Sequence, residues 1–271
     1  MNGQIKTPPL LMGIVNATPD SFSDGGRFLD PRDAVAHGLR LADEGAAILD
    51  IGGESTRPGA EPVDQDEELA RTIPVIEGLK GKTQARLSID TRKPEVARAA
   101  VAAGASVWND VTALSYAPDS LAVAASLDCD IVLMHARGDP RTMQDDPRYD
   151  DVVGEVCAYL TGRIDAAEAA GVSRARLIVD PGVGFGKTVG HNLALLANIP
   201  RFAALGCPVL IGASRKRFIA ALDRPGEASD RLGGSIAAAL AAVSGGAAIL
   251  RVHDVAATRQ ALAVARAITG A

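Results

Sequence analysis

The chain has 271 residues, 47% of them hydrophobic and only 3% aromatic, with a formal net charge of -5. That length suits one α/β barrel, and the acidic balance excludes the strongly basic footprint of a nucleic-acid binder. No stretch approaches the roughly 20 apolar residues of a membrane helix, MNGQIKTPPL lacks a signal peptide's apolar run, and Cys129, Cys157 and Cys207 form no CxxC pair, which together predict a cytoplasmic protein with reduced thiols and no membrane partner.

Short apolar runs recur along the chain and predict strands at 10–15, 47–52, 86–90, 106–110, 130–135, 177–182, 208–214 and 247–254. Between them lie helical patterns at 33–46, 66–79, 94–105, 118–128, 149–171, 192–199 and 230–246, with a last one at 255–268. Runs that are apolar throughout, rather than alternating, predict strands buried on both faces and therefore parallel. Strand–helix alternation predicts βαβ units. Eight such units imply a (β/α)8 TIM barrel, an α/β fold, with residues 1–271 forming a single domain. A doubly wound sheet would carry a glycine-rich fingerprint after the first strand, and LLMGIVN has none.

In such a barrel, chemistry sits at the C-terminal ends of the strands. Those ends deliver Asn16, Glu54-Ser55-Thr56-Arg57, Asp90, Asn109-Asp110, His135, Asp180, Ser214-Arg215-Lys216 and Arg251-Val252-His253-Asp254. Each alone could be a helix cap; together they predict one shared site. Thr56, Arg57, Lys216, Arg251 and His253 are donors, most of them cationic, and predict an anionic substrate such as a phosphate ester. Asp90, Asn109 and Asp180 suit a flat nitrogen heterocycle with amide and amine edges. DPGVGFGKT at 180–188 is not a P-loop, because Pro181 stands where that motif needs glycine. Four histidines without HxH or HExxH spacing predict no catalytic zinc. His37 and His191 read as helix or surface residues, and Ser214 lies outside any Gly-x-Ser-x-Gly elbow.

The motifs NATPDSFSDGG (16–26), DIGGESTRPGA (50–60), SIDTRKPEVA (88–97), WNDV (108–111), DPGVGFGK (180–187), SRK (214–216) and RVHDV (251–255) run in order over most of the chain. They resemble the dihydropteroate synthases of folate biosynthesis, within the pterin-binding family. The resemblance implies a transferase that condenses (7,8-dihydropterin-6-yl)methyl diphosphate with 4-aminobenzoate, releasing pyrophosphate and 7,8-dihydropteroate, and a target of sulfonamides. It also implies Mg2+ with Asn16 as its ligand, and pterin contacts from Thr56, Asp90, Asn109, Asp180 and Lys216. It implies a pyrophosphate site at Arg251 and His253, with Arg57 brought in on the second loop, and a homodimer built through the late helices. A pterin-binding methyltransferase would share the barrel and the acidic clamps but would have no use for SRK and RVHD. Ala136-Arg137 and Arg217 depart from residues common in the family at those places.

Overall fold

Leucine, isoleucine and valine runs form the strands, and each is followed by a helix folded back over it. In the computed structural model, which describes residues 8–17, 30–54, 62–138 and 142–270, the first half contains β1 (Leu10–Asn16), α1 (Pro31–Glu44), β2 (Ile48–Gly52), α2 (Gln65–Leu79), β3 (Arg86–Asp90), α3 (Pro94–Ala103), β4 (Val107–Asp110) and α4 (Ser120–Ser126). The second half continues with β5 (Asp130–Met134), α5 (Val152–Ala169), β6 (Leu177–Asp180), α6 (Val189–Ala197), α7 (Ile199–Ala203), β7 (Leu210–Ile211), α8 (Arg217–Leu222), α9 (Leu232–Ser244), β8 (Ile249–Val252) and α10 (Val255–Gly270). The strands run in the order β6-β5-β4-β3-β2-β1-β8-β7, and a parallel bridge from Val179 to Val209 closes the sheet on itself. The expected (β/α)8 barrel is present.

The seam at β7 differs from expectation. That strand is only two residues long; before it, Pro208 has no N–H for the ladder, and its carbonyl accepts from Val179 N at 2.9 Å. The short helices α7 and α8 are also additions, too brief to show a helical period in the sequence.

Two layers of core organise the barrel. Met12, Ile48, Val107, Val132, Ile178, Leu210 and Ile249 form a plug inside it, while Leu49, Ile51, Ile89, Trp108, Leu133 and Val179 pack outward against the helices. Side chains on a strand alternate faces. Two residues beyond the plug the same inner face therefore presents Asp50 after Ile48, Asn109 after Val107, Asp180 after Ile178 and Arg251 after Ile249. The apolar plug makes a floor, and the next inward position on each strand builds the mouth above it.

Candidate active site

The centre of the mouth is a buried ion cluster on β2, β3, β4 and β8. Asp50 is fully buried; its Oδ1 accepts from Ser88 Oγ at 2.5 Å, and its Oδ2 accepts from Asn109 Nδ2 at 3.0 Å and Arg251 Nε at 2.6 Å. Arg251 Nη2 donates to Asp90 Oδ2 at 2.7 Å. Arg251 thus spends Nε and Nη2 on the two carboxylates. Asn109 is buried at the end of β4 and held there by its amide nitrogen's bond to Asp50. Sequence reasoning missed Asp50, since it sits inside AILDIG rather than at the strand end; its signal is the two-residue step from Ile48.

The opposite wall comes from β6 and β7. Asp180 Oδ1 accepts from Gly182 N at 2.7 Å, and Lys216 Nζ lies 3.9 Å from the centroid of the Phe185 ring, a cation–π contact. The glycines of 180–187 let this loop approach its neighbours. A Cβ on Gly182 would lie 1.8 Å from the His135 carbonyl oxygen, and one on Gly184 would lie 2.9 Å from Lys216 Cδ. Beneath the loop, buried Lys187 Nζ meets His135 Nδ1 at 3.0 Å, the His135 carbonyl at 3.2 Å and the Phe185 carbonyl at 2.9 Å. Burial, then the neighbouring Lys187 charge, pushes the His135 imidazole down to about 3, so it is neutral and accepts from the ammonium. Burial also lowers Lys187 to about 7, against support from Asp180.

The carboxyls are shifted the other way. Burial raises Asp90 to about 7, opposed by Arg251 and reinforced by Asp50. It raises Asp180 to about 6, opposed by the Gly182 N–H and by Lys216 and Lys187. For stability the sign is fixed. An acid raised in the fold keeps a proton that the unfolded chain has released, so its contribution is complete below the unfolded value near 3.9 and is lost as pH rises through the folded one. Asp180 should therefore impose a loss of stability between about pH 4 and 6. Asp180→Asn should remove that part of the slope when Tm is followed against pH in the ligand-free protein; an unchanged slope would show that the carboxyl is not held as described.

At the remaining strand ends, half-buried Asn16 closes β1, and Ser214 Oγ stands 3.0 Å from His253 Nδ1. Thr56 and Arg57 lie outside the described residues, as do Asp24, Gly25 and Gly26 of the NATPDSFSDGG motif. The root of the second loop is described: Glu54 accepts from Arg92 Nη2 and from Lys93 Nζ, both at 2.8 Å. His191 caps α6, its Nδ1 accepting from Thr188 N at 3.2 Å, and His37 Nδ1 lies 3.2 Å from Arg40 Nη2 on α1. Two of the departures have described surroundings. Arg137 stacks 4.7 Å from the Tyr149 ring centroid and bonds Glu155, and Arg217 is exposed at the start of α8.

The family profile described as pterin binding enzyme matches residues 12–253. The chain belongs to this family. Within it, the chain is 46% identical over 263 residues to the dihydropteroate synthase of Escherichia coli K12, spanning 97% of this chain and 93% of that protein. The Xanthomonas albilineans dihydropteroate synthase solved with 4-aminobenzoic acid superposes with a TM-score of 0.92 at 55% identity, covering 98% of this chain and 95% of that one. The same organism's enzyme solved with 7,8-dihydropteroate gives a TM-score of 0.88 at 53% identity, covering 97% and 94%. The chain is thus a pterin binding enzyme of the dihydropteroate synthase type, and its strand-end cluster lies where a (β/α)8 enzyme does its chemistry.

Proposed function

We propose that the mouth holds a dihydropterin diphosphate with its ring against Asp90, Asn109 and Asp180 and its diphosphate toward Asn16, Arg251 and His253, and joins it to 4-aminobenzoate. What supports this reading is the division of the mouth. Carboxylates and an amide on β3, β4 and β6 share the mouth with Asn16 on β1, with Arg251 on β8, and with Lys216 and His253 just past β7 and β8. The amine nitrogen of 4-aminobenzoate attacks the methylene carbon. An N–C bond forms as the C–O bond to the diphosphate breaks, the bonding pair leaves with pyrophosphate, and the amine proton passes to solvent. Arg251 and His253 stabilise charge gathering on the leaving group, and Lys216 stands between ring and diphosphate. Thr56 and Arg57 enter the reading through their motif alone.

The donor set fits a magnesium ion carried in by the diphosphate. Asn16 offers one neutral amide oxygen, the carboxylates of Asp50 and Asp90 are taken by Arg251, and no group of three or more potential ligands among the described residues forms a metal cage. Asn16 would complete a shell made mainly of phosphate oxygens and water, and the ion would neutralise the departing pyrophosphate.

If ring and anion are separated in this way, His253→Ala should weaken pyrophosphate binding at least about tenfold, the loss of one charge-assisted contact, and leave an uncharged pterin bound as before. Equal losses in calorimetry for both ligands would place His253 in the wrong subsite.

We place the protein in the cytoplasm, where its three free thiols would stay reduced, and we pair it with a second copy of itself. No helix among the described residues is long and apolar enough to cross a membrane. A groove of about 560 Å³ between α6, α8 and α9 is lined by Leu193, Leu196, Phe218, Ile219 and Leu222, and Leu222 is 56% exposed. Such a patch suits a self-complementary contact. Leu222→Glu should convert a dimer to a monomer in sedimentation; a wild-type monomer at micromolar concentration would rule the pairing out.

A further inference from the structure

Lys216 and His253 lie in the turns that follow two neighbouring strands, β7 and β8, whose backbone pairing is slight. β7 and β8 share only the registers Leu210–Ile249 and Ile211–Leu250, whereas β1 and β2 share five, from Met12–Ile48 to Asn16–Gly52. Past Ile211 no ladder holds the two strand ends in step. Side chains do so instead, and two consecutive residues of one turn grip two consecutive residues of the other. Ser214 Oγ meets His253 Nδ1 at 3.0 Å and accepts from His253 N at 3.3 Å. Arg215 donates from Nε to Asp254 Oδ2 at 3.0 Å and from Nη2 to Asp254 Oδ1 at 2.5 Å.

Arg215 is an expensive choice for the turn itself. Its φ is +58°, a left-handed conformation that glycine adopts freely and an L side chain does not. A turn needing only that conformation would be served better by glycine. Arg215 is held in it from every side: its N–H donates to Ser235 Oγ at 2.8 Å, and its carbonyl accepts from Arg231 Nη1 at 2.9 Å. The forked pair with Asp254 is mostly shielded, with side-chain exposures of 31% and 23%, and a two-bond fork fixes direction as well as distance.

We propose that Arg215 is a positioning residue that, through Asp254, locks the turn after β7 to the turn after β8 and so sets Lys216 and His253 at a fixed spacing across the substrate. The proposal rests on the assignment of those two residues under the proposed function. It makes no contact with substrate necessary, only a constant geometry, and a misplacement of about 1 Å in such a geometry costs about 100-fold.

The test uses the full chain with Arg215→Gly, Asp254→Asn, the double variant and Arg215→Lys. Arg215→Gly relieves the left-handed residue while removing the fork. It should keep a Tm within a few degrees of wild type, yet lose about 100-fold in kcat/KM for the pterin diphosphate, with KM for 4-aminobenzoate little changed. Pyrophosphate affinity in calorimetry should fall with it. The double variant should be no worse than either single one, because both remove the same link. Arg215→Lys should recover part of the loss, as an ammonium can pair with Asp254 without the fork. Wild-type kcat/KM in Arg215→Gly, or losses that add in the double variant, would overturn the proposal. Should Arg215→Gly fail to fold, Asp254→Asn, which keeps the side chain's shape, decides the question alone. A wild-type protein that makes no dihydropteroate would defeat the functional reading, and pyrophosphate binding by the variants would still judge the lock.

Discussion

Arg251→Ala is expected to lose both turnover and stability. Arg251 is the only cation bonded to Asp50 among the described residues, and it also holds Asp90. Removing it leaves a fully buried carboxylate supported by Ser88 and Asn109 alone. Breaking a buried pair from one side costs about 3–5 kcal/mol, and at about 2–4 °C per kcal/mol for a chain of this size Tm should drop by roughly 10 °C. The deficit should shrink at lower pH. Asp90 already sits near 7 with Arg251 beside it, and without that cation it protonates more readily. Asp50→Asn combined with Arg251→Met should recover much of the stability and none of the activity, because the buried charge goes but the leaving group still lacks its donor. A single Arg251→Ala variant as stable as wild type at pH 8 would show that the cluster is not a buried ion pair.

Lys216→Ala separates the two properties that Arg251 combines. Burial, then the Arg251 charge, lowers the Lys216 ammonium to about 8, against Asp180 and Asp90. A group burdened in this way contributes little to folding, so Tm should change little. Activity should not survive: removing one preorganised donor at the reacting centre costs about 100- to 1,000-fold in kcat, near 3–4 kcal/mol. In the wild type, kcat/KM should decline above about pH 8 as Lys216 loses its proton, and Lys216→Arg should move that limb upward. Near-wild-type kcat/KM in the alanine variant would remove Lys216 from the site.

The barrel was legible because its signal is long and repeated. Apolar runs such as LLMGIV and DIVLM cannot be half-solvated strands, and eight of them separated by helical patterns leave few alternatives. The placement of Asn16, Asp90, Asn109, Asp180, Arg251 and His253 at strand ends was legible because a strand end is easy to find, and Lys216 falls in the turn after β7. What the sequence hid depends on register and on long-range pairing. Asp50 lies in the middle of its strand, and only the alternation set by Ile48 turns it toward the mouth. Arg215 reads as the second letter of SRK; its link to Asp254, 39 residues away, exists only once β7 and β8 are neighbours. Lys187 reads as the end of a glycine loop, and its hold on His135 needs the glycine at 182 to let two loops touch. The shortness of β7 was concealed by the apolar run around it.

The central claim is that this mouth transfers a dihydropterin-methyl group from diphosphate to an aromatic amine. The direct measurement is pyrophosphate release by the purified protein with (7,8-dihydropterin-6-yl)methyl diphosphate and Mg2+, with and without 4-aminobenzoate, alongside mass spectrometry of the organic product. Release that depends on both substrates, matched mole for mole by 7,8-dihydropteroate and abolished in Lys216→Ala, is the predicted result. Pyrophosphate released at the same rate without 4-aminobenzoate, or no pteroate formed by a folded protein, would contradict it.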